Sequence, residues 1–306
     1  MSFSILAVLG PTASGKSALG INIAHSLASA EVTAEIVNAD AMQLYSEMNI
    51  GTAKLPESER EGIPHHLFDV IKPDQEMTAV QFQSIARGKI QQLLAEGKLP
   101  ILVGGSMFYV SSVLDNLDFA PTDQAIRERL ESESEGIGAL AMHERLAGLD
   151  PATAQRIPAQ NIRRVIRALE VIELTGERYS SVLPEPKFWL PTLQLGIEVD
   201  RVLLKDRIAK RVRAMWADGL VEETAGLISN YRLSKTAQMA IGYKQAIALI
   251  EGQLTKEEAI AETIALTNRY ARRQMSWFRR DKRTKWLRHR KRFCFGRRFR
   301  RHFGSR

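Results

Sequence analysis

Apolar residues along the chain fall into two periods. Ser4 to Leu9 is a short, nearly unbroken apolar run that ends at a glycine, and Ala18, Ile21, Ile23, Ala24 and Leu27 then recur at helical spacing. That is the pattern of a buried strand feeding a helix. Glu35 to Asn38 and Leu99 to Val103 read as further short strands, and between them Val80, Phe82, Ile85, Ile90, Leu93 and Leu94 give Thr78 to Glu96 the spacing of a helix. Strands alternating with helices predict an α/β fold with a parallel sheet.

After Asp118 the pattern changes. Asp123 to Leu130, Gly138 to Leu146 and Asn161 to Leu174 are helical segments with no strand signal between them, which predicts an inserted helical subdomain over 120–189. Pro184, Pro186 and Pro191 mark its return, and Thr192 to Val199 reads as one more core strand. Helices are expected at 201–217, 219–231 and 255–278, the last opened by Thr255 and Glu258 in capping-box spacing. The expected organisation is a first core segment over 1–119, the insertion, a core continuation over 190–287, and a basic tail over 288–306. The Arg/Phe composition of that tail predicts disorder in isolation.

With 306 residues, 44% apolar and 25% charged, the chain is not disordered, collagen-like or a disulfide scaffold. Its longest apolar stretches, Phe3 to Gly10 and Pro100 to Leu114, are shorter than the roughly 20 residues of a membrane helix, so no membrane partner is expected. The amino terminus lacks the marks of a signal peptide. A single cysteine, Cys294, permits no internal disulfide; a cytoplasmic monomer is the default expectation. The net charge of +8 conceals an asymmetry, because residues 269–306 hold 17 Lys and Arg against one acid, Asp281, while the remainder is acidic overall. Such a cationic end suggests contact with a polyanion such as RNA or DNA, although a solvated surface explains a charged run equally well.

The strongest chemical signal is Gly10-Pro11-Thr12-Ala13-Ser14-Gly15-Lys16-Ser17, which satisfies G-x-x-x-x-G-K-[ST] between a predicted strand and a predicted helix. Glycines let successive backbone N–H groups point at phosphate oxygens, the helix start adds partial positive charge, Lys16 supplies a point charge and Ser17 can hold Mg²⁺. A P-loop announces phosphate without saying whether it is transferred, hydrolysed or discarded, and a nucleotide such as ATP is one candidate occupant.

Other candidates are less decided. Asp40 follows the strand Glu35 to Asn38 and can ligate Mg²⁺ or accept a proton there, or merely cap the next turn. Gly104-Gly105-Ser106 follows a strand in the same way: two residues without bulk allow close approach of a ligand, and Ser106 alone is more often a helix cap than a catalytic group. Arg211 lies on the edge of the apolar row Leu204, Ile208, Met215, where a cation either meets an anion or reaches to solvent. Arg163, Arg164 and Arg167 flank the row Ile162, Val165, Ile166, Leu169, and can grip an RNA backbone or form a solvated face. His65 and His66 are adjacent and lack a ligand-spacing partner, which argues against zinc.

Taken in order, the P-loop, Asp40-Ala41-Met42-Gln43-Leu44-Tyr45, Gly51-Thr52-Ala53-Lys54, Pro64-His65-His66-Leu67, Leu102 to Tyr109, Arg163-Arg164, Arg167 to Val171, Ala240 to Lys244 and Tyr270 to Phe278 resemble the bacterial tRNA dimethylallyltransferase family over about residues 1–287. The resemblance implies a P-loop NTPase-like core with a helical insertion. It also implies transfer of a dimethylallyl group from dimethylallyl diphosphate to the N6 amine of the adenosine 3′-adjacent to the anticodon, with Mg²⁺ and release of diphosphate. Gly10 to Ser17 would then hold the departing diphosphate, Ser17 through the metal, and Arg211 falls at the family's diphosphate-contacting arginine. Asp40 falls at the general base. Ser106 stands where the family usually has Thr, keeping the hydroxyl and losing a methyl group. Asp40, Ala41, Met42, Gln43, Ser106, Arg127, Gln160, Asn161, Ile162, Arg163, Arg164, Met239, Ala240, Ile241, Gly242, Tyr243 and Lys244 match positions that contact the tRNA anticodon stem-loop. Two other readings stay open: a nucleotide or small-molecule kinase on the same fold, and a noncatalytic RNA-binding module.

Overall fold

The computed structural model describes residues 3–117, 119–179 and 187–288. Most of the basic tail therefore lies outside the described residues. Two compact units divide the chain: one contains residues up to 116 together with those from 188 onward, and the other spans Leu117–Lys187. The insertion expected over 120–189 is thus displaced by two or three residues at each end, because Phe188 pairs with Asp115 in an antiparallel bridge and belongs to the first unit.

The first unit is built on a six-stranded parallel sheet in the order β3-β2-β4-β1-β5-β6, formed by β1 (Ile5–Leu9), β2 (Ala34–Asn38), β3 (His65–His66), β4 (Leu99–Gly104), β5 (Thr192–Glu198) and β6 (Lys285–Arg288). All strand pairs are parallel, with Leu6 opposite Ile101 and Leu193, and Ile36 opposite Ile101 and His65. β1 shows why its apolar run is unbroken: Ile5, Ala7 and Leu9 enter one buried cluster, whereas Leu6 and Val8 enter another on the opposite face. A strand covered on both faces cannot alternate apolar with polar residues.

Helices α1 (Lys16–Ala28), α2 (Ala79–Ala95) and α3 (Met107–Leu114) accompany the first strands. α2 starts at a complete capping box, in which Thr78 Oγ1 accepts from Gln81 N and Gln81 Oε1 accepts from Thr78 N. The insertion comprises α4 (Gln124–Leu149), α5 (Pro151–Arg156) and α6 (Ile162–Thr175) around Leu130, Met142, Leu146, Val165 and Leu169. The two helical segments expected before Leu146 are both present and meet within α4 at a kink at Gly138, whose φ of 85° is a left-handed conformation that glycine tolerates.

After β5 come α7 (Arg201–Ala217), α8 (Leu220–Asn230), α9 (Lys235–Gln238), α10 (Tyr243–Ile250) and α11 (Lys256–Phe278), which share a second core around Trp216, Leu220, Leu227 and Tyr243. α11 opens with the Thr255/Glu258 capping box. β6 carries no periodic signal of its own. Its exposed and half-buried residues Lys285 to Arg288 become a strand only by pairing with the open edge of β5. Among the described residues no helix is long and apolar enough to cross a membrane.

Candidate active site

Parallel strands align their carboxyl ends at one edge of the sheet, and the loops that leave those ends build the site. From β1 comes the glycine loop, with Ala13 (φ 61°) and Gly15 (φ 92°) in left-handed conformations. These turn the chain sharply into α1, so that Lys16 begins the helix. The Lys16 ammonium donates to the Pro11 carbonyl at 2.9 Å. Burial draws its pKa down to about 8; the Asp40 carboxylate opposes that shift and the Arg211 cation reinforces it. Ser14 Oγ is buried and has no hydrogen-bond partner among the described residues. A hydroxyl donor waiting inside a phosphate-type loop fits an anionic occupant.

β2 delivers Asp40. Its Oδ1 accepts from Met42 N at 3.1 Å, and its own N–H donates to Asn38 Oδ1 at 3.0 Å. Asp40 thus caps the short 3₁₀ turn Ala41–Leu44 with one oxygen, while its second oxygen has no hydrogen bond among the described residues. The capping and chemical readings of Asp40 are therefore compatible. Desolvation raises the carboxyl pKa above its ordinary 3.8; Lys16, the Met42 N–H and Arg211 pull in the other direction. Lys16, Asp40, Gln43, His65 and Arg211 line one cavity of about 240 Å³. Arg211 arrives from α7, where Ile208, Val212 and Trp216 are buried and hold the helix in place.

The loop after β4 corrects one expectation. Ser106 occupies the N-cap position of α3, yet its side chain makes no capping bond; Oγ accepts instead from Ala41 N at 2.8 Å, beside Asp40. The paired glycines let other parts of the protein approach closely, and Gly104 also lines the cavity that holds Lys16 and Asp40. A Cβ on Gly104 would sit 2.3 Å from the Ala39 carbonyl oxygen, and one on Gly105 would sit 2.4 Å from Gln274 Nε2. Nor is every P-loop N–H free for phosphate, because Thr12 N donates to Gln274 Oε1 at 2.9 Å.

Several positions matched to tRNA contacts sort by exposure. Met239, Lys244, Gln160, Arg163 and Arg164 are exposed, and Ala41, Met42, Gln43, Asn161, Ile162 and Ile241 are half-buried. Ala240, Gly242 and Tyr243 are buried. The Tyr243 hydroxyl donates to Glu223 Oε1 at 2.6 Å, and the Glu223 carboxylate also accepts the N–H groups of Asn49, Ile50 and Gly51. Tyr243 therefore anchors the 49–53 loop and presents no side chain to a surface ligand. That loop holds the site in turn, since Gln43 Nε2 donates to the carbonyls of Thr52 and Ala53.

In the helical unit, Glu170 is wholly buried and takes charge-assisted hydrogen bonds from Arg127 and Arg167, plus bonds from Thr122 Oγ1 and Asp123 N. Arg167 also donates to the carbonyls of Ala120 and Pro121. Arg127 and Arg167 are thus committed to internal partners, unlike exposed Arg163 and Arg164. His66 likewise serves structure: Nε2 meets Glu35 at 2.6 Å, and Lys98 meets the other oxygen at 2.8 Å.

A strand, glycine loop and helix heading an all-parallel sheet, with the loop lysine facing a cavity, define a P-loop α/β protein. The IPP transferase family model matches residues 43–281, and the chain belongs to that family. A tRNA dimethylallyltransferase of Clavibacter sepedonicus is 52% identical over 277 residues, covering 90% of each chain. One from Salinispora arenicola is 48% identical over 285 residues, covering 93% of this chain and 82% of the relative. Among solved structures, the tRNA isopentenylpyrophosphate transferase of Bacillus halodurans superposes with a TM-score of 0.67 at 36% identity, covering 93% of this chain and 89% of that one. A eukaryotic dimethylallyltransferase acting on tRNA superposes with a TM-score of 0.79 at 26% identity, covering 93% and 73%.

Proposed function

We propose that the protein transfers a dimethylallyl group from dimethylallyl diphosphate to the N6 amine of the adenosine 3′-adjacent to the anticodon in tRNA, releasing diphosphate. One observation carries this reading: a single cavity joins an anion cradle, headed by Lys16 and bordered by Arg211, to a desolvated carboxylate on Asp40. The names of the relatives support it, and they favour prenyl transfer over the kinase alternative.

The chemistry asks for both halves. An adenine amine is a weak nucleophile because its lone pair is delocalised into the ring. As its nitrogen bonds to the allylic carbon, the carbon–oxygen bond to diphosphate breaks and its electron pair leaves with the diphosphate. The N6 proton passes to Asp40, whose raised pKa makes it a better base than a solvated carboxylate. Lys16, Arg211 and the backbone N–H groups that remain free in the loop stabilise the charge gathering on the leaving group. The target base must leave its stack to reach a cavity of this kind.

Mg²⁺ suits the donor set. Ser17, the second residue of α1, offers an exposed hydroxyl, and among the described residues no cluster of three or more His, Cys, Asp or Glu forms a protein cage. An ion that arrives with the diphosphate would take most of its oxygens from phosphate and water, with Ser17 as the protein ligand, and would neutralise leaving-group charge. Arg163 and Arg164 in the helical unit, and Met239 and Lys244 in the other, are exposed, as contacts with an anticodon stem-loop require. A tRNA substrate implies a cytoplasmic location.

Incubating purified protein with unmodified tRNA and dimethylallyl diphosphate, followed by nucleoside mass analysis, tests the reading. The expected result is one dimethylallyl group added to a single anticodon-loop adenosine. ADP production from ATP with no change in the tRNA would mark a kinase, and tRNA binding with no product would mark a binding module.

A further inference from the structure

Gln274 lies on α11, 262 residues from Thr12 and 169 from Gly105, and its side-chain amide spans the two. Oε1 accepts from Thr12 N at 2.9 Å and Nε2 donates to the Gly105 carbonyl at 2.8 Å. The side chain is buried, 1% exposed, and Gly105 approaches so closely that a Cβ there would meet Nε2 at 2.4 Å. The partners leave no ambiguity about the amide's orientation: a backbone N–H only donates and a carbonyl only accepts.

The residues that Gln274 joins belong to the two halves of the chemistry. Thr12 is part of the loop that cradles the phosphates. The Gly105 carbonyl belongs to the same peptide unit as the Ser106 N–H, and Ser106 Oγ accepts from Ala41 N, next to Asp40. Three hydrogen bonds, joined by the covalent Gly105–Ser106 link, therefore connect the P-loop through Gln274 and Ser106 to the backbone that presents the carboxylate. We infer that Gln274 is a positioning residue for the transfer reaction, setting the separation between the phosphate cradle and Asp40. The inference rests on the proposed prenyl transfer and adds a residue to it. Rates of group transfer respond steeply to such spacing, whereas separate binding of each substrate need not.

The experiment compares wild type with Gln274→Met and Gln274→Glu, measuring kcat, KM for dimethylallyl diphosphate, KM for tRNA and thermal melting. Met keeps the volume and loses both bonds. Its kcat is expected to fall roughly 10²-fold, with both KM values close to wild type. Glu keeps the acceptor for Thr12 but sets a carboxylate oxygen against the Gly105 carbonyl, and only its protonated form restores the donor. The ratio of Glu-variant to wild-type kcat is therefore expected to rise as the pH falls from neutral toward the carboxylate range, a response that a loosened fold would not give.

Wild-type kcat in a folded Met variant overturns the inference, as does a Glu-to-wild-type ratio that stays flat with pH. Should the Met variant fail to fold, the isosteric Glu variant decides. Wild-type protein that leaves tRNA unmodified would sink the transfer reading itself, and variants that match an active wild type would sink only the role of Gln274.

Discussion

The Lys16 ammonium and the Asp40 carboxylate line one cavity although the strands that deliver them, β1 and β2, are not neighbours in the sheet. β4 lies between them, and its carboxyl-end loop supplies the Ser106 hydroxyl that holds Ala41. Each charge offsets part of the desolvation of the other. A cation and a carboxylate suited to the proposed leaving group and incoming amine thus share one cavity without collapsing into a direct hydrogen-bonded pair among the described contacts.

Replacing Asp40 with Asn keeps the Oδ1 acceptor that caps the 3₁₀ turn and removes the base. Turnover is expected to fall by roughly 10²- to 10⁴-fold, the usual contribution of a positioned general base, while tRNA and diphosphate-ester affinities change little. Single-turnover transfer together with equilibrium binding checks this, and near-normal turnover would remove Asp40 from the role.

The pH profile of kcat/KM for the donor should be bell-shaped. On the acid side kcat falls as the pH drops through the Asp40 pKa, which lies above the ordinary 3.8, because the base must be deprotonated. On the alkaline side the free protein's Lys16 has a pKa of about 8, so affinity for the anionic donor is full below that value and is lost as pH rises through it. Donor KM measured against pH should therefore climb above about 8, and a flat alkaline limb would contradict the role of Lys16.

Arg211→Ala removes a cation that borders the cavity. We expect kcat/KM for dimethylallyl diphosphate to fall about 10²-fold, comparable to deleting one oxyanion donor, with tRNA affinity unchanged. Arg211→Lys should recover only part of the loss, because a point charge lacks the planar fork that grips phosphate oxygens. Steady-state kinetics with the donor varied distinguishes the three proteins.

Glu170→Ala should destabilise the helical unit by about 1–3 kcal/mol, because Thr122 Oγ1 and the Asp123 N–H lose their acceptor while the partly exposed Arg127 and Arg167 lose an ion pair. Burial pushes the Glu170 carboxyl up, but hydrogen bonds from Thr122, Arg167, Arg127 and the Asp123 N–H outweigh it and hold the pKa at about 2. A carboxylate depressed on folding stabilises the native state fully above its unfolded value of 4.5, and that contribution is lost as pH falls toward about 2. Denaturant melts across that window should show a steeper slope in wild type than in the variant, where Glu35, Glu133 and Asp281 still contribute.

What was legible in the sequence was local. The strand–glycine–lysine–helix order at Gly10 to Ser17, the Thr255/Glu258 cap and the doubly buried run of β1 are each written within a few consecutive residues, because backbone conformation and burial period are short-range properties. Gly104 and Gly105 were legible as points of close approach, but not what approaches: the neighbours are Ala39 and Gln274, distant in the chain. The sequence shows the charge of Arg127 but not its partner in the fold; Glu170, 43 residues away, accepts its hydrogen bond. β6 was invisible because an edge strand depends on the exposed edge of β5 and not on a pattern of its own.

The sequence by itself therefore determined the class of fold, the glycine loop and the candidate residues for chemistry. Tertiary structure alone decided which of them share a cavity, that Tyr243 supports a loop, and that one buried amide on α11 ties the phosphate cradle to the strand end carrying Asp40. The physical reason is range. Helix, strand and turn preferences act over a few residues, whereas a desolvated charge or a buried hydrogen bond acquires its partner only when segments tens to hundreds of residues apart are packed together.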